Sequence, residues 1–314
     1  VRYLKNQIIG IIGVLCFLLI FLVIYFAYIY EPKDLLGYQS EYLKIVPSHF
    51  LSTEKYDIHY IQQGSGEPLI LIHGGGVWLY SYKDNIPELA KHNLVYALDM
   101  PGHGYTKIKM KNPCYTLDMY SDFLKDFMDA EGIRKASLVG NSWGGGWALY
   151  FAQKYPDRVR KLVLIDAAGY ELKEVMEWEV FKYPIIGEIL SKMITPAIIK
   201  TGLTKALYDK TKISDSKVKE NYTPLTFVEN RKAQYMATRR LDWKKTRNNL
   251  GKIHCETLII WGKNDEYYNY RTAYRFKEGI RDAEMIILEN CGHMPHEEYP
   301  EKVSNIIDAF ISKK

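Results

Sequence analysis

Six short, near-continuous apolar runs constrain this chain more than any other feature. They are Leu69 to Ile72 (LILI), Leu94 to Asp99 (LVYALD), Ala136 to Asn141 (ASLVGN), Leu162 to Asp166 (LVLID), Thr257 to Gly262 (TLIIWG) and Glu284 to Leu288 (EMIIL). A strand wetted on one face alternates polar and apolar residues, and these do not, so each reads as a strand covered on both faces. Between them lie longer stretches with helical patterning, including Tyr115 to Ala130, Trp143 to Lys154 and Pro300 to Ser312. Strands alternating with helices predict an α/β fold, a mostly parallel central sheet flanked by helices with right-handed crossovers.

One interval breaks the alternation. From residue 169 to 242 the strand signals stop and the text turns helical, amphipathic and rich in Met, Tyr and Lys, interrupted at Pro184, Pro196 and Pro224. It is too long for a loop and reads as a helical cap inserted over the site. The organisation expected is therefore an N-terminal segment (1–30), a linker (31–50) containing Pro32 and Pro47, a first core part (51–168), the cap (169–242) and a second core part (243–314).

The N-terminal segment carries its own constraint. From Ile8 to Tyr30 there is no charge and no proline, and as a helix this run would extend about 35 Å, enough to span a bilayer. A cleaved signal has a shorter apolar stretch and a small-residue cleavage site, which YFAYIYEP does not offer, so an uncleaved single-pass transmembrane anchor is expected. Tyr25, Tyr28 and Tyr30 suit the headgroup level at the distal end, while Arg2 and Lys5 flank the near end. That places the folded domain on the extracytoplasmic side of the membrane.

Composition narrows the function classes. The formal charge of +5 on 314 residues is dispersed, and no Lys/Arg block is interleaved with stacking aromatics, so no nucleic-acid partner is expected. The four cysteines, Cys16, Cys114, Cys255 and Cys291, form no metal knuckle or redox pair. No metal and no cofactor is expected, since the histidines lack ligand spacing and Gly144-Gly145-Gly146 is followed by no Lys-Ser/Thr of a phosphate loop.

The chemistry concentrates at Gly140-Asn141-Ser142-Trp143-Gly144, which lies between the run ASLVG and a helix. A tight strand-turn-helix elbow projects the serine hydroxyl out of the sheet, forces its backbone into a strained region and leaves room only for small residues at Gly140 and Gly144. A serine hydroxyl is a weak nucleophile near neutral pH and needs a base, which in turn needs an orienting carboxylate. Asp265 follows the strand TLIIWG and His293 follows EMIIL, so both fall at the sheet edge that carries Ser142.

The order Ser142, Asp265, His293 and the flanking words resemble the α/β-hydrolase fold family from Tyr56 to Lys314. His73-Gly74-Gly75-Gly76 resembles the family's oxyanion loop, Asp99-Met100-Pro101-Gly102-His103-Gly104 the loop after its next strand, and Gly292-His293-Met294-Pro295, with Glu298 and Pro300 beyond, its histidine loop. The resemblance implies Ser142, Asp265 and His293 as a catalytic triad and backbone N–H groups of Trp143 and Gly75 as the oxyanion hole. One such preorganised donor lowers the barrier by about 2.7–4 kcal/mol.

Nearby polar residues receive other roles. His296 is expected to face solvent on the turn into the last helix, His73 to order the glycine loop by hydrogen bonding, and His103 to line the site entrance. Asp166 ends a strand and in some relatives would be the acid; WGKNDE favours Asp265, leaving Asp166 as a turn or capping residue and Glu266 as a surface charge.

Serine in place of aspartate at the elbow points to acyl transfer to water through an acyl-enzyme on Ser142. A carboxylic ester is the first substrate class, and the anchor beside an apolar cap suggests a lipid such as a monoacylglycerol. Alternatives are the hydrolysis of carbon–carbon bonds in aromatic ring-cleavage products, which GNSWGG and HGGG also resemble, and amide or peptide hydrolysis. A non-enzymatic binding module is disfavoured because every triad position is filled.

Overall fold

The computed structural model of the chain describes residues 2–30, 33, 38–170 and 176–313. Nine strands form one sheet: β1 (His49–Ser52), β2 (Tyr56–Gln63), β3 (Glu67–Ile72), β4 (Asn93–Leu98), β5 (Lys107–Ile108), β6 (Ala136–Asn141), β7 (Val159–Ile165), β8 (Glu256–Gly262) and β9 (Glu284–Leu288). The order across the sheet is β1-β2-β4-β3-β6-β7-β8-β9, with β5 paired to β2. All six apolar runs are strands, and β4-β3-β6-β7-β8-β9 pair in parallel throughout. The central positions of β3, β4, β6, β7 and β8 have little or no accessible surface, as at Leu69 to Ile72 and Leu162 to Ile165, because helices cover both faces, whereas the edge strand β9 is only partly buried.

The antiparallel edge was not read from the sequence. β1 and β2 pair with each other, and β2 with β4, in antiparallel register. The segment expected as a linker to residue 50 is ordered earlier, with a short helix Tyr42–Ile45 and β1 starting at His49. Pro32 of that linker lies outside the described residues.

Two helices fix the nucleophile side of the sheet. Helix Leu117–Ala130 begins where Thr116 accepts from the N–H of Met119, and buries one face, including Phe123, Leu124 and Phe127. Helix Trp143–Lys154 starts directly after β6 and is buried over most of its length. On the other face, helix Pro300–Ile311 packs Val303, Ile307 and Phe310 into the second core cluster.

Between β7 and β8 the described residues form helices and short turns only, among them Met176–Glu179, Pro184–Ser191, Pro196–Ala206, Asp215–Tyr222 and Val228–Arg240. Pro184 and Pro196 occupy first helical turns, where a missing N–H costs nothing, so these prolines start helices. Residues 171–175 of the expected cap lie outside the described residues.

The N-terminal helix runs Arg2–Ile24 and continues as a π-helical turn, Tyr25–Ile29. Its segment Lys5–Ile29 is long and apolar enough to cross a membrane, with mean hydropathy 3.1. Its far end touches the β7–β8 insertion: Lys192 Nζ donates to the carbonyls of Phe26 (3.2 Å), Ala27 (3.0 Å) and Tyr30 (2.8 Å). A cation suits the unsatisfied carbonyls and negative dipole end of a helix C-terminus.

Candidate active site

The turn after β6 has the strained geometry its sequence requires. Ser142 sits at φ 53° and ψ −123°, a region rare for a side-chain-bearing residue. It is pinned there by its N–H donating to Ile165 O (3.0 Å) and its carbonyl accepting from Gly146 (3.1 Å) and Ala168 (2.9 Å). The flanking glycines have no alternative: a Cβ on Gly140 would lie 2.3 Å from the Gly144 carbonyl oxygen, and one on Gly144 would lie 2.2 Å from that of Ile72. Close packing of strand, turn and helix thus explains the small residues.

Asp265 and His293 lie side by side at this edge of the sheet. His293 Nδ1 lies 2.8 Å from Asp265 Oδ2, and the remaining oxygen Oδ1 accepts from the backbone N–H groups of Tyr267 (2.7 Å) and Tyr268 (3.0 Å). These bonds fix the carboxylate and hold the imidazole proton on Nδ1, leaving Nε2 to accept a proton. The His293 ring packs against Tyr267 and Tyr268, with centroids 4.9 and 5.4 Å away. Its backbone N–H donates to Ala206 O (2.7 Å), at the end of an insertion helix, so the insertion helps to seat His293.

Ser142 and His293 line one cavity of about 300 Å³. Among the described residues no hydrogen bond joins the serine hydroxyl to the imidazole, a contact that free enzymes commonly tighten only when substrate binds. Gly75 and Trp143 line the same cavity. The Trp143 N–H is the first of its helix and has no acceptor within that helix, and Gly75 packs so tightly that an added Cβ would meet the Trp143 ring at 2.5 Å. The cavity's outer wall belongs to the insertion and is mostly apolar, with Trp178, Phe181, Ile194, Ile199 and Leu203; its cation, among the described residues, is Lys205.

Other sequence expectations divide. His73 does order the glycine loop: Nε2 accepts from the Met100 N–H (3.0 Å), so Nδ1 donates to Gly74 O (2.8 Å). Complete burial pushes this histidine below its ordinary pKa and keeps it neutral. His103 does not line the entrance; it is buried against His73 and Trp147, with burial and the neighbouring His73 pushing its pKa far down. His296 does not face solvent either. It is wholly buried, with Nε2 2.7 Å from Ser81 Oγ and its pKa lowered by burial to about 4. Ser81 is 215 positions away in sequence, so no local pattern announced the contact. Glu266 is exposed and 3.8 Å from Lys210.

Behind the pair stand Asn141 and Glu298, which had no role of their own in the sequence reading, and Asp166, which was read as a turn or capping residue. Asn141 Nδ2 donates to the carbonyls of Ile165 (3.2 Å) and His293 (3.0 Å). Glu298 Oε1 accepts from the Gly292 N–H (2.6 Å) and Oε2 from the Asp209 N–H (2.9 Å), tying the histidine loop to the insertion. Asp166 turns its carboxyl inward behind Asp265, and one ligand atom each of Asp166, Asp265 and His293 lie within 4.8 Å of one another. That trio is close enough to hold a cation, yet hydrogen bonding already explains the His293–Asp265 contact and both oxygens of Asp265. Adjacency to Ser142 and to the histidine loop was the available signal for Asn141 and Glu298.

A strained elbow at Ser142, an Asp–His pair and a glycine loop thus gather at the C-terminal edge of the parallel sheet. The chain belongs to the alpha/beta hydrolase fold family, whose model matches residues 67–188. It is 33% identical over 280 residues to the 2-hydroxy-6-oxo-6-(2'-aminophenyl)hexa-2,4-dienoic acid hydrolase of Metapseudomonas resinovorans, covering 84% of this chain and 91% of that one. Among solved structures it resembles a meta-cleavage product hydrolase from Pseudomonas fluorescens IP01, with TM-score 0.72, 27% identity and coverage of 85% and 98%. The structure of a membrane phospholipase A aligns over 99% of this chain and 98% of its own, at TM-score 0.71 and 23% identity, a likeness of fold.

Proposed function

We propose that the chain is a serine hydrolase with Ser142 as nucleophile, His293 as base, Asp265 as its orienting acid and the N–H groups of Gly75 and Trp143 as oxyanion donors. Its reaction is the hydrolysis of a carbon–carbon bond next to a ketone, in acids of the ring-cleavage type. The similarity to the Metapseudomonas resinovorans hydrolase along 84% of the chain carries this reading, and it favours carbon–carbon cleavage over the simple ester cleavage that the sequence put first. The cavity supports it: an apolar outer wall suits an aryl or alkyl ketone substituent.

In this reading Ser142 Oγ attacks the ketone carbon while His293 Nε2 takes its proton, and the oxyanion settles on the two backbone donors. Collapse breaks the carbon–carbon bond. The departing carbanion, delocalised into the neighbouring carbonyl, receives a proton from the enzyme, and water then hydrolyses the acyl-serine by the same base.

Ester hydrolysis at a membrane is the second reading, favoured by one contact. The far end of the apolar helix is held by Lys192, which lies on the same insertion that walls the cavity. We assign the Lys5–Ile29 helix as a membrane anchor, residues 169–242 as a cap over the site, and the extracytoplasmic side to the domain; protease shaving of intact cells that leaves the domain untouched would contradict that side.

The test uses the full chain in detergent. Loss of dienoate absorbance from 2-hydroxy-6-oxo-6-phenylhexa-2,4-dienoate is compared with release of p-nitrophenol from esters of graded chain length. Faster turnover of the dienoate is expected, and turnover of esters alone would establish the second reading. Labelling by a fluorophosphonate probe, lost in Ser142→Ala, is expected in either case; an unlabelled wild type would remove the serine-hydrolase assignment itself.

A further inference from the structure

Among the described residues, the Asp166 carboxyl carries a buried oxygen with no hydrogen-bond donor. Asp166 follows β7, has no accessible surface and holds a left-handed backbone at φ 42°, which Asp and Asn tolerate better than other side chains. Its backbone N–H donates to Ile260 O (3.0 Å), so the residue is locked to β8. Its Oδ1 accepts from the Gly262 N–H at 3.0 Å. Its Oδ2 is equally buried, and among the described residues no N–H or O–H donates to it.

Close to this carboxyl stands the acid of the candidate triad, one ligand atom each of Asp166, Asp265 and His293 lying within 4.8 Å of one another. Asp265 has room for one more partner, and only for a donor. A carboxylate offers about four lone-pair sites. Two on Oδ1 are taken by Tyr267 and Tyr268 N–H, and one on Oδ2 by His293. Two ionised carboxylates in this buried space would repel strongly, whereas one shared proton turns the repulsion into a hydrogen bond.

We propose that Asp166 is held as the neutral carboxylic acid, donating from Oδ2 to the remaining lone pair of Asp265, and so acts as a positioning residue for the Asp265–His293 pair. The buried cluster then carries a single negative charge, matched to the one imidazolium formed when His293 takes the serine proton. Charged and titratable groups around Asp166 are consistent with this: Asp265 from the loop after β8, and Glu298, Cys291 and His293 from beyond β9, provide no permanent cation. Burial, the charge of Asp265 and the contact with it all push the Asp166 carboxyl well above the usual carboxylate range, against the pull of the Gly262 N–H.

The inference rests on the serine-hydrolase reading, and its test separates the two. Infrared difference spectra of the full chain in detergent at pH 7, wild type against Asp166→Asn, read protonation without any turnover. A carboxylic-acid carbonyl band present in wild type and lost in Asp166→Asn is expected; its absence means an ionised Asp166, paired with a cation or water, and overturns the proposal. The second arm follows the acid limb of the kcat/KM–pH profile with whichever substrate the fluorophosphonate-reactive enzyme turns over. An Asn side chain keeps the acceptor and a donor, so the limb should move by less than about 0.3 pH unit; removing an ionised Asp166 would instead lower it by about two units. Asp166→Ala removes the donor and should cut kcat at least about tenfold with KM nearly unchanged, while Asp166→Asn restores most of it. Equal loss in both variants, in parallel with thermal stability, would reduce Asp166 to a structural residue.

Discussion

Asn141 and His293 are joined by a hydrogen bond from the amide Nδ2 to the backbone carbonyl, 3.0 Å long and fully buried. The residue before the candidate nucleophile thereby fixes the loop that carries the candidate base, although 152 positions separate them. The same amide also donates to Ile165 O. Asn141→Ala should leave two buried carbonyls without this donor and lower unfolding stability by about 1–3 kcal/mol. The larger consequence is geometric: an imidazole displaced by an ångström should reduce kcat about a hundredfold, with KM changed far less. Urea titration and steady-state kinetics on the same preparation check both, and a variant with wild-type kcat would show that the tether does not position His293.

Gly75 is confined by Trp143, and that ring cannot retreat because it is buried against Trp147 and Trp178, with centroids 6.1 and 5.0 Å away. Gly75→Ala should therefore push the glycine loop rather than the tryptophan. Its N–H would leave the oxyanion position, and kcat should drop by about 10² to 10³. Overpacking should cost about 1–3 kcal/mol of stability, so the protein stays folded. Retained fluorophosphonate labelling at a slower rate, with normal circular dichroism, is the expected signature.

His296 makes stability depend on pH in a window set by burial. Its pKa of about 4 in the folded chain lies below the unfolded value near 6.5, because a charged ring would bury an N–H at Nδ1 with no acceptor among the described residues. Between those values the unfolded chain binds the proton and the folded chain does not. Stability is thus fully present above about pH 6.5 and is lost as pH falls toward 4, by about 3 kcal/mol from this residue. His73 and His103 act in the same direction. Urea midpoints at pH 7.5 and 4.5 should show a smaller acid loss in His296→Gln than in wild type, by about 2–3 kcal/mol.

These residues also mark what local sequence could reveal. The runs that become β3, β4, β6, β7, β8 and β9 were legible because a doubly covered parallel strand must be apolar along its whole length. Ser142, Asp265 and His293 were legible because each stands just past a strand end with its flanking words. β2 was not, since Tyr56–Gln63 ends in exposed polar residues and lies near an antiparallel edge. The burial of His296 depends on Ser81 and the inward turn of Asp166 on Asp265, partners that only the folded sheet brings close. Contacts across the fold leave no period in the chain, and these supporting positions were read as surface or turn for that reason.

Lys192 predicts how firmly the N-terminal helix is held. Its ammonium takes three carbonyls around Phe26, Ala27 and Tyr30, and Ala27 is buried there. Lys192→Met keeps much of the aliphatic stem and removes the donors. Amide exchange across residues 24–30 in detergent micelles should accelerate several-fold, equivalent to about 1 kcal/mol of local stability. Lys192→Arg, which retains the charge, should stay near wild type; equal exchange in all three forms would mean that the contact does not hold the helix.

Ile199 offers the most direct test of which wall of the cavity selects substrate. It lies on the insertion helix Pro196–Ala206, half-buried and facing the same space as Ser142 and His293, while none of the hydrogen bonds around Asp265 involves it. Ile199→Trp should shrink the apolar side of the cavity and leave the chemistry untouched. A small acyl group still reaches Ser142, whereas a phenyl ketone or long acyl chain must compete with the new ring. Lost hydrophobic contact of this kind discriminates by about 1–3 kcal/mol, so kcat/KM for the bulky substrate should fall about 10- to 200-fold relative to p-nitrophenyl acetate. Equal losses on both would trace the effect to the base, which the same helix seats through the Ala206 carbonyl, and unchanged selectivity would place the bulky group against the Gly76–Val77 side instead.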